Sequence, residues 1–489
     1  MDAIREAGMR AGNVRAFAFL LLAAFAGSAS GAPQGEWDWG FLASRQRDVD
    51  GRMRLRALGP FYERVEEPGS GSLLAVRPFY ASERSEKSGW HHRDYLWPVA
   101  RSGRLGNDLS WRILLTYGHN FDVTDSEGRY RLWILPFYFQ GRDIKGRSYF
   151  AVFPLGGTIS EILNQDRVQF ALFPLWARTT TGKIRSWHVF WPLFSRTEGP
   201  GVDRLRIVPF YGHNHKRDQY QKRFVMWPFW TDVQYTHPRS AGSGYMIFPL
   251  WAKISLSDQT TWMAFPPILR WTRSQQMTRF HLWPFIQYRT GVEKRFEIWP
   301  LYGRTVRHGI DSSYVLWPLG RHERLDLGDR VLTRYALYPF LQTRSVRFRS
   351  EPGIPKERNV LVWPLASYHR SGADRRFRML ELWPVQATRE VERSWAPLWT
   401  LLEYRARGDH RRTELLWGFF RTQARGTEFR RTSLFPLFGW ERDESNGQQI
   451  RNWSILKGLL ARDRSNSGVT YRILYGIRWR IRGGEGEEP

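Results

Sequence analysis

A short motif built around proline recurs through most of the chain and restricts what the chain can fold into. Each copy has an aliphatic residue, an aromatic residue, proline and then Leu or Phe, as in Met226-Trp227-Pro228-Phe229 and Ile298-Trp299-Pro300-Leu301. Nineteen of the 27 prolines lie in such copies, and in sixteen of these the next residue is Leu or Phe. Between Pro60 and Pro436 the copies recur about every 19 residues, which indicates one repeated structural unit.

The residues around each proline predict β-strands. Apolar stretches of about seven residues, rich in aromatic side chains, alternate with charged segments that contain turn-forming residues, and interior proline excludes a helix. A period of about 19 leaves room for one strand of about ten residues and one turn, and short turns join antiparallel neighbours. The sequence therefore predicts an all-β fold, a long antiparallel up-and-down meander of about 22 strands.

Proline inside a strand needs a structural explanation, because proline cannot donate a hydrogen bond to the ladder. We expect the prolines of successive strands to line up and form a crease at which each strand bends. Gly118 and Gly418 follow an aromatic residue where proline is expected, and we predict that they occupy the same site. Since so many strands must protect their edges, we also expect a closed or nearly closed, barrel-like sheet.

The N-terminal residues have the order of a secretory signal peptide. Arg5, Arg10 and Arg15 precede an apolar run over residues 16–26, and small residues follow. The run is too short to span a bilayer, which needs about 20 residues. The sequence predicts a signal peptide over residues 1–32, one β-repeat domain over 33–482 and a Gly/Glu-rich tail over 483–489. The expected location is the periplasm or outer membrane of a Gram-negative bacterium.

The motif also resembles the Trp-Pro-Leu-aromatic repeats of exported bacterial proteins. The resemblance covers most of residues 58–440, and it implies no activity that could be carried over to this chain.

The composition and the known catalytic motifs favour a protein that is not an enzyme. The chain has no Cys, which excludes disulfides, Cys-ligated metals and a Cys nucleophile. It also lacks Gly-x-Ser-x-Gly, a phosphate-binding Gly loop and His-Glu-x-x-His. Part of a metal site could be formed by His213-Asn214-His215 with Asp218. However, the segment Tyr211-Gly212-His213-Asn214 matches Tyr117-Gly118-His119-Asn120, so these histidines are better explained as a feature that recurs with the repeat. We expect no metal and no cofactor.

The charge balance points to an anionic partner. Lys and Arg number 74 against 47 Asp and Glu, a net charge of +27. Most of the basic residues are Arg, which binds phosphate and carboxylate groups in a bidentate manner. We expect the Arg-rich segments of the C-terminal third to lie in turns, and the candidate contacts are Arg375, Arg376, Arg378, Arg411, Arg412, Arg430, Arg431, Arg478, Arg480 and Arg482. An equally good explanation of the arginine excess is that the arginines only supply the charge that solvated turns need and bind no partner.

Two functions of different classes remain open. The leading hypothesis is a non-enzymatic cell-envelope scaffold or binding protein whose Arg-rich turns contact anionic lipid, lipopolysaccharide or another glycan. The alternative is an outer-membrane β-barrel pore or transporter, although the apolar stretch would be about 15 Å tall against the ~25 Å band of such barrels. Because the chain is expected to be exported, a nucleic-acid partner is not expected despite the charge.

Overall fold

The computed structural model describes residues 35–67, 69–238, 240–350, 356–444, 449–466, 468–475 and 477–481. The predicted signal peptide and the Gly/Glu-rich tail lie outside these residues, as does Arg482. Within them the chain is one long antiparallel meander of 46 strands with two short α-helices. The all-β prediction and the meander topology are confirmed.

The strands fall into two compact units. The smaller unit contains β1 (Trp37–Trp39), β2 (Ala43–Arg47), β3 (Met53–Ala57), β4 (Tyr62–Glu67), β39 (His410–Leu415), β40 (Phe420–Arg425), β41 (Phe429–Leu434), β42 (Phe438–Asp443), β43 (Ile450–Ile455), β44 (Leu460–Ser465), β45 (Gly468–Ile473) and β46 (Ile477–Ile481). It also contains 3-10 turns at Leu416–Gly418 and Leu456–Gly458.

The larger unit begins with β5 (Gly71–Val76), β6 (Tyr80–Ser85), β7 (Trp90–Tyr95), β8 (Ala100–Leu105), β9 (Asp108–Ile113), β10 (Thr116–Asn120), β11 (Tyr130–Ile134), β12 (Tyr138–Arg142), β13 (Ser148–Val152), β14 (Gly156–Ile162), β15 (Gln165–Ala171), β16 (Trp176–Thr181), β17 (Ile184–Val189), β18 (Phe194–Gly199), β19 (Val202–Ile207), β20 (Tyr211–Lys216), β21 (Tyr220–Val225) and β22 (Trp230–Tyr235).

The larger unit continues with β23 (Gly242–Ile247), β24 (Trp251–Leu256), β25 (Gln259–Ala264), β26 (Leu269–Ser274), β27 (Thr278–Leu282), β28 (Ile286–Arg289), β29 (Glu293–Ile298), β30 (Tyr302–Arg307), β31 (Ile310–Val315), β32 (Gly320–Asp326), β33 (Arg330–Leu337), β34 (Leu341–Phe348), β35 (Glu357–Val362), β36 (Ala366–Ser371) and β37 (Asp374–Met379). Helices α1 (Arg389–Ser394) and α2 (Ala396–Trp399) follow, and β38 (Leu402–Arg407) ends the unit.

Each repeat holds two short strands, so the predicted count of about 22 strands of about ten residues is wrong. The segment from β16 to β17 shows why: two strands of 6 residues each are joined by a turn at Gly182 and Lys183. Gly182 has φ +58°, the left-handed conformation that a tight two-residue hairpin turn requires. The next turn, residues 190–193, contains the motif proline. Two strands and two unlike turns fill one period.

The expected barrel-like closure is not supported. Among the described strands, β1 pairs with β2 alone and β46 pairs with β45 alone. The sheet therefore keeps two unpaired edge strands, which side-chain contacts rather than a closing ladder must protect.

The larger unit has a small apolar core, and its helix α1 contacts strands that are far from it in sequence. Its buried cluster contains Phe139, Tyr149, Ile159 and Phe170 from β12 to β15. Elsewhere, α1 inserts Arg393, which donates hydrogen bonds to Asp94 Oδ2 at 2.5 Å and to Glu83 Oε2 at 2.7 Å. Because Arg393 is separated from Asp94 by 299 residues, this helix ties late strands of the unit to early ones.

The smaller unit joins its first strands to its later ones through a buried ionic network. Arg421 Nη1 lies 2.8 Å from Asp38, and Arg421 Nη2 lies 3.2 Å from Glu414. Glu414 in turn accepts a 2.6 Å hydrogen bond from Arg56, and Lys457 Nζ donates to the Asp38 carbonyl at 2.6 Å. Each buried charge thus has opposite partners, as burial requires.

The pKa of Asp38 shows that this network favours its charged form. Burial alone would raise the pKa of Asp38, but Arg421, Lys457 and the Gly40 N–H together lower it below the ordinary value of 3.8. A carboxylate with a lowered folded-state pKa stabilises the fold above the unfolded-state pKa. That stabilisation is lost as the pH falls through the folded-state pKa.

We predict that Asp38→Asn lowers the free energy of unfolding by about 3 kcal/mol at pH 7, because it removes one of the two carboxylates that pair with the buried Arg421. Urea unfolding at a series of pH values should show the full difference above about pH 5 and a narrowing difference below pH 4. Glu66→Gln is the matched control, since Glu66 pairs with Arg64 on the surface of the same unit and should cost less than about 1 kcal/mol. Equal losses in the two variants would contradict the network's role.

Candidate functional site

The motif proline lies in a tight turn and not inside a strand. At Met226-Trp227-Pro228-Phe229 the Phe229 N–H donates to the Met226 carbonyl at 2.8 Å, while Val225 faces Trp230 across the hairpin. The Trp227–Pro228 bond is cis, as are the corresponding X-Pro bonds of fifteen other turns. A cis proline at the third position defines a type VI turn. In this position the missing proline N–H leaves no gap in the ladder.

Successive proline turns are hydrogen-bonded to one another. Trp191 N donates to the Pro174 carbonyl at 2.8 Å, and Trp317 N donates to the Pro300 carbonyl at 2.7 Å. The prolines therefore line up along one edge of the sheet, as predicted. The predicted crease within each strand is wrong, because the chain reverses at the motif instead of bending through it.

Three motif-like positions do not form proline turns. Gly118 lies within β10, where a Cβ would overlap the Trp111 ring on the neighbouring strand, so its small size is needed for packing and it does not replace proline. Pro384 and Pro397 lie in the connection between β37 and β38, and Pro397 is in the first turn of α2. Gly418, by contrast, does lie at a reversal, in the 3-10 turn before β40.

The side chain after each proline is exposed to solvent. In the larger unit Phe79 is 66% exposed and Leu365 is 64% exposed, where a packed core residue would be almost covered. We call this row the apolar edge; it comprises Phe79, Val99, Phe137, Leu155, Leu175, Leu193, Phe210, Phe229, Leu250, Ile268, Phe285, Leu301, Leu319, Phe340 and Leu365. The smaller unit has exposed residues at the same position in Phe61 and Leu437.

The apolar character continues onto a face of the sheet. Tyr211, Val225, Trp230 and Ile247 are direct neighbours across β20 to β23, and all are exposed. Two residues further from the turns, the next row on the same face is polar at its start and aromatic further on; it runs through His213, Arg223, Asp232, Tyr245, Lys253, Trp262, Trp271, Phe280, Tyr288 and Phe296. Among the aromatic residues of this row, Tyr245, Trp271, Tyr288 and Phe296 are exposed. The exposed apolar surface is therefore continuous along the proline turns and widens onto the face over β26 to β29.

The turns at the opposite edge of the sheet lack the proline motif and many are polar, although Ile144, Leu163 and Val292 are exposed there. Examples of the polar turns are Gly106-Asn107 between β8 and β9, Gly182-Lys183 between β16 and β17, and Gly372-Ala373 between β36 and β37. Since every strand runs from one kind of turn to the other, the two edges are separated by one strand of about six residues, roughly 20 Å.

Four of the ten candidate arginines are held in ion pairs within the chain. Arg376 lies 2.9 Å from Glu392, and Arg378 lies 3.0 Å from Glu381. Arg412 contacts Glu414 at 3.1 Å, and Arg431 contacts Glu441 at 2.8 Å. These side chains stabilise the fold, and the expectation that they lie in turns is wrong because each lies in a strand.

The other described candidates are exposed but also lie in strands. Arg375, Arg411 and Arg430 each follow the first residue of β37, β39 and β41 respectively, next to a polar turn. Arg375 faces Arg370, and Arg430 faces Arg442, so like charges stand opposite each other. Arg478 and Arg480 lie in the exposed strand β46. The nine described candidates are spread over four strands, β37, β39, β41 and β46.

The histidines of the repeated Tyr-Gly-His-Asn segment pair with carboxylates across the hairpin. His213 Nε2 lies 3.0 Å from Asp203, and His119 Nε2 lies 2.9 Å from Asp108. The same His–carboxylate pairing in two repeats agrees with the interpretation that these histidines are a feature that recurs with the repeat. In the described part of the chain, no group of three or more His, Asp or Glu side chains is arranged to hold a metal ion.

No family model matches the chain, and no curated protein matches it. Within the described ranges, none of the helices has the length and apolar character needed to cross a membrane.

We predict that apolar-edge residues contribute little to the stability of the isolated protein. Phe229→Ser should change the free energy of unfolding by less than about 1 kcal/mol, because the Phe229 side chain is already half exposed. Phe170→Ser, in the buried cluster, should cost more than about 3 kcal/mol. Urea unfolding measures both. A large loss in Phe229→Ser would mean that the edge serves intramolecular packing.

Proposed function

We propose that the chain is a non-enzymatic scaffold of the bacterial cell envelope that attaches to a lipid surface through its apolar edge. The observation that carries the proposal is the continuous row of exposed Phe, Leu and Ile side chains along the proline turns. Monomeric soluble proteins rarely expose contiguous apolar patches larger than a few hundred Å², and larger patches mark protein or membrane contacts. Trp and Tyr in the adjoining row suit the interface between lipid and water.

Simple energetics favours the apolar edge over the arginines as the main attachment. Removing one half-exposed Leu or Phe side chain from water contributes on the order of 1 kcal/mol. One arginine near an anionic membrane contributes about the same. Fifteen edge side chains in the larger unit therefore outweigh the few exposed candidate arginines, even if only a third of them insert.

The exposed arginines suit a second, anionic contact. Arg375, Arg411 and Arg430 lie near polar turns, roughly 15 Å from the apolar edge of their own unit. Salt screens charges beyond about 8 Å at physiological ionic strength, so these arginines would hardly feel a membrane that contacts the apolar edge. We infer that they contact an anionic glycan, such as the saccharide of lipopolysaccharide, on the side away from the lipid.

The alternative of an outer-membrane pore or transporter has no specific support. Such a protein needs a sheet without edges, whereas β1 and β46 each have one partner among the described strands.

We predict that four substitutions at the apolar edge abolish attachment to lipid. The variant carries Phe210→Ser, Phe229→Ser, Leu250→Ser and Phe285→Ser, and its affinity for phosphatidylcholine vesicles with 30% phosphatidylglycerol should fall by about a hundredfold or more. Vesicle co-sedimentation measures this. The matched control replaces four exposed apolar residues in polar turns, Leu105, Ile144, Val292 and Leu327, by Ser and should bind like the wild type. Equal binding by all three proteins would overturn the proposal.

We predict the reverse pattern for the arginines. The variant with Arg375→Gln, Arg411→Gln and Arg430→Gln should bind those vesicles within about threefold of the wild type, because of screening. Its affinity for dextran sulfate, a soluble anionic polysaccharide, should fall by about tenfold or more. A loss of vesicle binding as large as that of the edge variant would show that the arginines contact the lipid.

A further inference from the structure

The connection between β37 and β38 departs from the repeat. Most neighbouring strands of the larger unit are joined by turns of a few residues, but here residues 380–401 intervene and contain α1 and α2. The connection is fastened over the sheet: Gln342 Nε2 donates to the Pro384 carbonyl at 2.7 Å, and Trp363 Nε1 donates to the Leu382 carbonyl at 3.1 Å. In a regular repeat fold, one long connection is the place where a specific function is expected.

A cavity of 640 Å³ lies between this connection and strands β33 to β37. One row of its floor consists of direct cross-strand neighbours, Arg334, Arg344, Asn359, His369 and Arg376. The connection contributes Glu381 and Glu392 to its lining. The volume falls within the range of about 300–1,000 Å³ that is usual for small-molecule sites.

The lining carries more positive than negative charge. Four arginines, Arg334, Arg344, Arg376 and Arg378, stand against two carboxylates, Glu381 and Glu392, an excess of two (4 − 2). Arg378 pairs with both carboxylates, at 3.0 Å for Glu381 and 2.5 Å for Glu392. Among the lining residues, no carboxylate therefore pairs with Arg334 or Arg344. Outside the lining, Glu323 lies 3.3 Å from Arg334 and Glu403 lies 2.8 Å from Arg376. Among the described residues, Arg344 is left without a carboxylate within ion-pair distance.

Two features of these arginines indicate a missing acceptor. Arg334 and Arg344 stand directly opposite each other on β33 and β34, where like charges destabilise a sheet, and the buried Nε of Arg344 has no hydrogen-bond partner within the described residues. Arg378 is only 6% exposed, and its buried Nη1 has no hydrogen-bond partner within the described residues. A buried donor without an acceptor carries a free-energy cost that a ligand can remove.

The titrating groups of the cavity respond to the same positive potential. Burial lowers the pKa of His369, and the neighbouring Arg376 lowers it further. Burial alone would raise the pKa of Glu392, but Arg376 and Arg378 reverse this and lower it below its ordinary value of 4.5. In both cases Arg376 favours the less positively charged form of the neighbouring group.

We infer that this cavity binds a small molecule bearing a phosphate group, with Arg334 and Arg344 as its principal contacts. Arginine pairs phosphate oxygens in a bidentate manner. A phosphate monoester carries a charge of about −1.5 to −2 near neutral pH, which suits a lining that contains four arginines. The remaining volume, lined by Ala336, Leu361 and Val385, accommodates a compact organic group. This site is independent of the attachment to lipid proposed above.

The test uses the full-length chain and the variant Arg334→Gln with Arg344→Gln. Calorimetric titration and thermal unfolding are followed with inorganic phosphate, with glycerol 3-phosphate and with phosphatidic acid vesicles. Inorganic phosphate and glycerol 3-phosphate should bind the wild type, with glycerol 3-phosphate the tighter, and the double variant should bind at least about tenfold more weakly. If the protein bound only the vesicles and responded to neither soluble phosphate, the inference of a small soluble ligand would be wrong.

The design separates loss of the site from loss of the fold. Because the double variant removes two facing like charges and loses only the half-exposed ion pair of Arg334 with Glu323, its unfolding temperature without ligand should stay close to that of the wild type. Arg347→Gln, on the same strand as Arg344 but outside the lining, is the control and should retain wild-type affinity. Equal affinity of the wild type and the double variant for phosphate, or no detectable binding by the wild type, would overturn the inference.

Discussion

The structure depends on one hydrogen bond that is repeated from turn to turn. The carbonyl of the residue after a motif proline accepts an N–H from the next proline turn, as in Phe248 to Phe229 and Trp363 to Phe340. Proline has no N–H to donate, so it is tolerated in the turn and would interrupt a ladder within a strand. The motif is thereby confined to one edge of the sheet, and its aliphatic and aromatic neighbours are confined there with it.

This confinement gives the two edges different chemistry and leaves stability to other contacts. The larger unit has a small apolar cluster around Phe139 and Phe170, and much of its apolar surface remains exposed. Buried ion pairs join strands that are distant in sequence, through Arg393 with Asp94 in the larger unit and Arg421 with Asp38 in the smaller one. Such pairs add less net free energy than apolar packing but strongly disfavour arrangements that leave a charge unpaired.

The sequence predicts the fold class but not the strand count. Aromatic enrichment, proline inside the apolar stretches and the regular spacing were enough to predict an all-β antiparallel meander. A period of about 19 residues fits one long strand or two short strands equally well, and only the second kind of turn distinguishes them. Gly182 and Gly372, midway between neighbouring prolines, were the available signal.

The candidate sites were less predictable because they depend on tertiary contacts. The motif composition around Pro228 and Pro249 would have identified the apolar edge if proline had been assigned to turns. By contrast, Arg376 and Arg378 look like free charges in the sequence, and only the helix α1 that follows shows that Glu392 pairs with both. The facing pair Arg334 and Arg344 depends on the register of an unusually long hairpin with two strands of 8 residues.

The absence of Cys from the chain permits a direct test of the central claim, that the proline turns form the edge that enters lipid. A single Cys placed at Phe229 or Leu250 and labelled with an environment-sensitive fluorophore reports the apolar edge, and one placed at Lys183 reports the polar turns. With anionic vesicles, we expect a blue shift of emission and protection from aqueous quenchers at positions 229 and 250, and neither at position 183. The same response at all three positions, or a response at position 183 alone, would contradict the account.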